Sequence, residues 1–250
     1  MCIIITKKKK SCQFGNRKVT TMTQFLVTVG TSLMVLVLSS IGLSWLNGAT
    51  IRLVVRRTGK SNSELLVMKP GIFVHEALHA IVGWLFGLRI TRFSLRPDIG
   101  AQTAAHVEFA YDRRSLRQRL GVLFSSGAPL WGIGVLVMLL GKRAWFASVA
   151  WAAIAPATVQ PDWPWVGIWF VVTVLLTFGA SLSRQDLKNF WIGLPFLGLI
   201  LSGGYGLLLW FAPEKLSTWG RLNGLAILSV CVMAGIALVV NRIVALTTRL

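Results

Sequence analysis

The chain has 250 residues, of which 54% are hydrophobic, and a mean hydropathy of +0.67, which leaves too little polar surface to cover a water-soluble globule of this size. Its charge is lopsided, with 26 Lys+Arg against 8 Asp+Glu and a formal net charge of +18. The basic residues bound long apolar runs, as loop charges of membrane proteins do, so the excess does not point to a nucleic-acid binder.

The chain opens on a basic tail, residues 1–21, with Lys7 to Lys10, Arg17 and Lys18. The apolar run behind it is too long for a signal-peptide core and has no evident cleavage site, so it reads as an uncleaved first span. Met22 is an alternative start that would remove the tail. The centre of that run, Phe25 to Trp45, is long enough to cross a bilayer. Pro70 to Leu88, between Lys69 and Arg89, is apolar apart from the residues of a His75-Glu76-Ala77-Leu78-His79 motif. Arg119 and Lys142 bound a third span, with Ala128-Pro129 inside it as an expected kink. Ala144 to Gln160 is apolar but short and broken by proline; it either crosses or dips in and returns. Spans come next at Trp163 to Leu182, Phe190 to Phe211 and Leu222 to Val240. Backbone groups in lipid must be satisfied internally, so the expected fold is an all-α integral membrane protein of six or seven transmembrane helices. Residues 22–250 read as a single multi-pass domain, with the cell membrane as its location. Cys2, Cys12 and Cys231 show no paired or zinc-ligand spacing.

The polar stretch after the motif predicts a small β-hairpin. Phe93 and Leu95 alternate with Arg92, Ser94 and Arg96, and Val107, Phe109 and Tyr111 with His106, Glu108 and Ala110. Pro97-Asp98-Ile99-Gly100 supplies the turn. The open edge of such a hairpin is a place where an unwound substrate segment could add as a strand.

His75 and His79, four apart on a helix, share one face, and their ring nitrogens can reach one zinc ion. Glu76 lies beside that face, where a carboxylate can take a proton from zinc-bound water as it attacks a carbonyl. Charged residues at mid-membrane depth are costly and seldom idle, which favours zinc over a merely structural polar cluster. Zinc needs a further protein ligand. His106 is the remaining histidine, and Asp162 and Asp186 are the carboxylates beside later spans.

Phe73 to Phe86, FVHEALHAIVGWLF, resembles the metal-binding helix of site-2 protease-like intramembrane zinc metallopeptidases. His106 to Gly132 is similar to the stretch after that helix in compact bacterial relatives, including the Ala-Pro. The resemblance implies that His75 and His79 are zinc ligands, that Glu76 is the catalytic base, and that a membrane protein or peptide is cleaved in or near the bilayer. It also implies a distant aspartate ligand. The usual Asp-Gly motif is absent, and Asp186, in SLSRQDLKNFWIG, stands in for it. Chain tracing ties that choice to Ala144–Gln160: a crossing segment puts Asp186 on the motif's side, whereas a returning one puts Asp162 there. The alternative function is a metal-binding membrane protein without protease activity, a transporter or scaffold. Loop charges place the tail and Arg89–Arg119 on one face if the first two spans both cross, biased toward the cytoplasm. A Met22 start removes six of those charges, and the reading taken is that start with the motif in the cytoplasmic half.

Overall fold

The computed structural model describes residues 2–58, 68–95 and 105–247. Its elements in chain order are α1 (Cys2–Thr58), α2 (Lys69–Leu85), β1 (Arg89–Ser94), β2 (His106–Ala110), α3 (Leu116–Trp145), α4 (Trp163–Thr177), α5 (Arg184–Phe211) and α6 (Lys215–Thr247). Five helical stretches are long and apolar enough to cross a membrane: Met22–Arg56, Leu116–Trp145, Trp163–Ala180, Arg184–Phe211 and Lys215–Leu246. The motif helix α2, at 17 residues, is shorter than these. The backbone of the basic tail continues α1 from Cys2 onward.

Ala144 to Gln160, which would have made a seventh span by crossing, does not form a continuous helix. α3 runs through Pro129 to Trp145, and beyond it lie only two short 3-10 turns, Trp151–Ala153 and Pro156–Thr158. The Gln160 N–H donates to Trp145 O at 2.8 Å and the Asp162 N–H to Ala144 O at 2.9 Å, so the segment closes where it opened. Pro156 and Pro161 lack the N–H groups that a continuous helix would need here.

Packing defines two ends. The first half of α1 meets the end of α5 and the start of α6 through Val29, Tyr205 and Leu216. Arg221 of α6 donates to Ile154 O at 3.1 Å, which ties the 146–162 excursion to that same end. The second half of α1 joins α3, α4, α5 and α6 in the larger core of Leu43, Ile133, Leu176, Phe190 and Met233. Asn47 Nδ2 donates to Thr177 O at 2.8 Å, and Ser44 Oγ accepts the Leu182 N–H at 2.8 Å. α1 therefore starts at the tryptophan-rich end of Trp145 and Trp163 and leads toward the α4–α5 junction.

The hairpin lies at the opposite end from the tryptophans. α2 stops in a tight reversal: the Gly87 N–H donates to Trp84 O at 2.8 Å, and the Leu88 N–H to Gly83 O at 3.0 Å. Gly87 has φ +80°, a conformation that a side chain resists, and it turns the chain directly into β1. The antiparallel pair runs from Arg89 opposite Ala110 to Ser94 opposite His106, with a bulge between Ile90 and Arg92. The Pro97–Gly100 turn lies outside the described residues. Phe109 of β2 packs against Gly83 of α2, fixing the hairpin over the motif helix.

α2 begins with Pro70 in its first turn, where a missing N–H is harmless. Directly after it, Gly71 touches the end of α4 so closely that a Cβ there would stand 2.7 Å from Leu175 O and 3.0 Å from the Gly179 nitrogen. Both neighbours are backbone and cannot swing aside. Gly71→Ala should therefore lower the melting temperature of the solubilised protein, at a cost of about 1–3 kcal/mol. A Cβ at Gly134 in α3 meets nothing, so Gly134→Ala should leave that temperature unchanged or raise it. Equal effects of the two substitutions would contradict the close approach.

Candidate metal centre

The motif helix presents His75 and His79 one turn apart, with ring centroids 4.6 Å from each other. His75 Nδ1 lies 2.7 Å from the Gly179 carbonyl oxygen, and His79 Nδ1 lies 2.7 Å from the Ser125 carbonyl oxygen. A carbonyl only accepts, so each Nδ1 carries the proton and donates it. In the neutral imidazoles the Nε2 lone pairs are then bare, and the two Nε2 atoms face each other at 3.0 Å. Asp186 Oδ2 completes the convergence, 3.6 Å from His79 Nε2 and 3.9 Å from His75 Nε2. The ligand atoms of the three residues lie within 4.8 Å of one another, and the group could hold a metal ion.

The donor chemistry fits a cation. Three electron-rich atoms that point at one another repel unless a positive charge lies between them. Tetrahedral zinc at about 2.0–2.1 Å needs two ring nitrogens roughly 3.3 Å apart, so the observed separation has only to open slightly. Backbone carbonyls that fix the tautomer of a ligating histidine are the usual outer partners of such a centre.

Each carbonyl is available for a local reason. A helix would pair Ser125 O with the N–H four residues on, but that residue is Pro129, which has none. The kink expected at Ala128-Pro129 is thus, in function, a freed acceptor facing α2. Ser125 Oγ also donates back to His79 O at 2.8 Å, so α3 holds the His79 residue from two directions. Gly179 lies in a 3-10 turn, Phe178–Ala180, where the chain leaves α4 and its carbonyl is no longer claimed by a following helical turn.

Asp186 arrives on the first turn of α5, in a capping box with Ser183. The Ser183 hydroxyl donates to Asp186 Oδ2 at 2.5 Å, and the Asp186 N–H to Ser183 Oγ at 3.1 Å. Beside it Asn189 Nδ2 donates to Ser126 Oγ at 3.1 Å, pinning α5 to α3. Glu76 is buried, at 6% exposure, and lines the same cavity of about 300 Å³ as both histidines and Asp186. The polar side chains of Ser126, Gln185 and Asn189 form part of its wall, and His106, Val107 and Phe109 of β2 another part.

Asp162 is at the other end of the molecule, 2.8 Å from Arg143 Nη1. The expected link between a returning Ala144–Gln160 and Asp162 therefore fails, although the segment does return. The tracing placed the motif's working face on the side where α2 begins. In the structure the start of α2 abuts the end of α4, and the histidines look toward the hairpin end. α3 leaves that end, the excursion reverses the chain, and α4 brings Asp186 back. His106 stands in the cavity wall with its Nε2 3.6 Å from Glu108, not within the cluster.

Sequence reasoning missed Ser125, Gly179, Asn47 and Ser44. Asn47 left a signal, as a lone amide in an apolar run. Comparison with known protein families, with curated proteins and with solved structures finds no match to this chain.

Asp186→Ala should abolish binding of one divalent metal per chain while Asp162→Ala keeps it, as read by metal analysis of the purified proteins; the reverse pattern would sink the assignment. Pro129→Ala returns an N–H to compete for Ser125 O, and should weaken metal affinity by roughly 10–100-fold. Unchanged affinity in a folded Pro129→Ala protein would show that His79 does not depend on that carbonyl.

Proposed function

We propose that this chain is a membrane-embedded zinc metallopeptidase that hydrolyses peptide bonds in or near the bilayer, a site-2 protease-like enzyme. The observation that carries the reading is the burial of Glu76 in the cavity where His75, His79 and Asp186 converge. A buried carboxylate that belongs to no ligand set is costly in apolar surroundings, and general base catalysis gives it a purpose. The five long apolar helices support the bilayer setting, with α2 held among them.

His75, His79 and Asp186 would hold the zinc, which when bound supplies a Lewis acid and lowers the pKa of water. Glu76 takes the proton from the attacking water and returns it to the leaving amine. The carbonyls of Gly179 and Ser125 keep both imidazoles in the tautomer that offers Nε2 to the cavity. The cavity wall formed by His106, Val107 and Phe109 lets an extended substrate segment lie along β2, its backbone pairing with a strand edge while the scissile bond reaches Glu76.

The charges of the two ends give an orientation. Arg89, Arg92, Arg113, Arg114, Arg117 and Arg119 gather at the hairpin end, where α1 also delivers Arg52 and Arg56. Residues 1–21 carry six further cations, Lys7 to Lys10, Arg17 and Lys18, on the tryptophan side where α1 starts; in a chain begun at Met22 the described loop and helix-end cations there are Lys142, Arg143, Lys215 and Arg221. Positive loops stay in the cytoplasm, so with the Met22 start the hairpin end and the site face inward. The tail and the hairpin thus fall on opposite ends, unlike the arrangement that two crossing spans would give, because α2 begins against the α4–α5 junction.

Glu76→Gln should keep the metal and lose peptide hydrolysis by a factor on the order of 10² to 10⁴. Reconstituted protein and a fluorescent transmembrane peptide measure this directly. Cleavage by Glu76→Gln at the wild-type rate, with metal bound, would leave the non-proteolytic reading standing. In cells, an impermeant thiol reagent added from outside should label Ser148→Cys and spare Arg92→Cys; the opposite pattern would invert the orientation.

A further inference from the structure

At the end of the molecule away from the histidines, α3, α4 and α6 enclose a second cavity, of about 390 Å³. Its walls are Val137, Phe146, Val159, Trp169, Leu225 and Leu228, and the 146–162 excursion forms one side of it. That volume falls within the range of small-ligand sites, roughly 300–1,000 Å³. Leu228 is 56% exposed, so the cavity reaches the outer surface of the helices.

One cation, Lys142, stands in this apolar lining. Its ammonium donates to Ala147 O at 3.2 Å and lies 5.8 Å from the ring centroid of Trp151. A second cation, Arg221, is one helical turn before Leu225 on α6, on the same face, and donates to Ile154 O. Both are met by neutral groups. The nearby carboxylate, Asp162, is taken by Arg143, whose guanidinium also lies 4.8 Å from the Trp165 ring. Two positive charges thus brace the Trp151–Ile154 turn above an apolar hollow, and among the described residues no carboxylate pairs with either. Trp145 and Trp169 line it and Trp163 packs against Trp145, the residue type that favours the bilayer interface.

We infer that this cavity binds one anionic phospholipid, an acyl chain lying between α3 and α6 and the phosphate held by Lys142 and Arg221. The apolar walls select a hydrocarbon chain and the two cations select a headgroup of net negative charge. The bound lipid would hold the excursion against the helix ends and so set the reversal that sends α4 back toward the site.

The inference rests on the bilayer setting proposed above, and resistance of the chain to alkaline extraction from membranes tests that setting separately. Native mass spectrometry of the full chain, exchanged into equimolar dioleoylphosphatidylglycerol and dioleoylphosphatidylcholine, tests the lipid site. Wild-type protein should retain one phosphatidylglycerol per chain in preference to phosphatidylcholine. Lys142→Gln combined with Arg221→Gln should reduce that preference on the order of thirtyfold, and Ser229→Phe, which fills the cavity, should remove retention of either lipid. Equal retention of both lipids by the wild type, or an unchanged preference in the double variant, would overturn the proposal. Should the double variant fail to fold, the wild-type competition and the Ser229→Phe protein give the answer on their own.

Discussion

Two backbone carbonyls without helical donors organise the histidine pair, and the rest of the molecule is arranged to supply them. Ser125 O is free because Pro129 has no N–H; Gly179 O is free because the chain has left α4. Each accepts the Nδ1 proton of one motif histidine at 2.7 Å. With both tautomers fixed, both Nε2 atoms turn to the same point, which is what a metal ion requires and what a cation-free pair would avoid. The motif helix alone cannot impose this, because a histidine on an isolated helix rotates freely between tautomers and rotamers.

Placing Gly179 there has a cost. The stretch between α4 and α5 runs through a buried part of the molecule, where each unsatisfied backbone group costs several kcal/mol in hydrocarbon. α1 offsets this with Asn47, fully buried, on Thr177 O and with Ser44 on the Leu182 N–H. Glycine on both sides of the contact, Gly71 and Gly179, lets the backbones of α2 and the junction approach within a distance that no side chain would permit. The same junction then starts α5, whose capping box carries Asp186 to the histidines. Helix ending, close approach and delivery of the Asp186 carboxylate are one local arrangement.

Hydropathy and the spacing of charges made the long helices and their order legible in the sequence, because each apolar run has a basic residue at its border. The hairpin was legible from period-two alternation, and the motif from its own four-residue spacing. The failure of Ala144–Gln160 to cross was not, since length and hydropathy suit either outcome and the closing bonds from Gln160 and Asp162 depend on tertiary placement. Asp186 was reached through a resemblance; the tracing that compared it with Asp162 assumed that α2 starts at a membrane face, and no local property of Lys69 or Pro70 reveals that it starts against Gly179. Pro129 was visible, but as a kink; only the position of α2 beside it shows what its missing N–H releases.

The measurement closest to the central claim is zinc K-edge X-ray absorption on the purified full chain. Two imidazole nitrogens and carboxylate or water oxygen at about 2.0–2.1 Å, in one zinc per chain, are what His75, His79 and Asp186 predict. Protein that takes up no zinc, or zinc surrounded by sulfur at about 2.3 Å, would contradict the account.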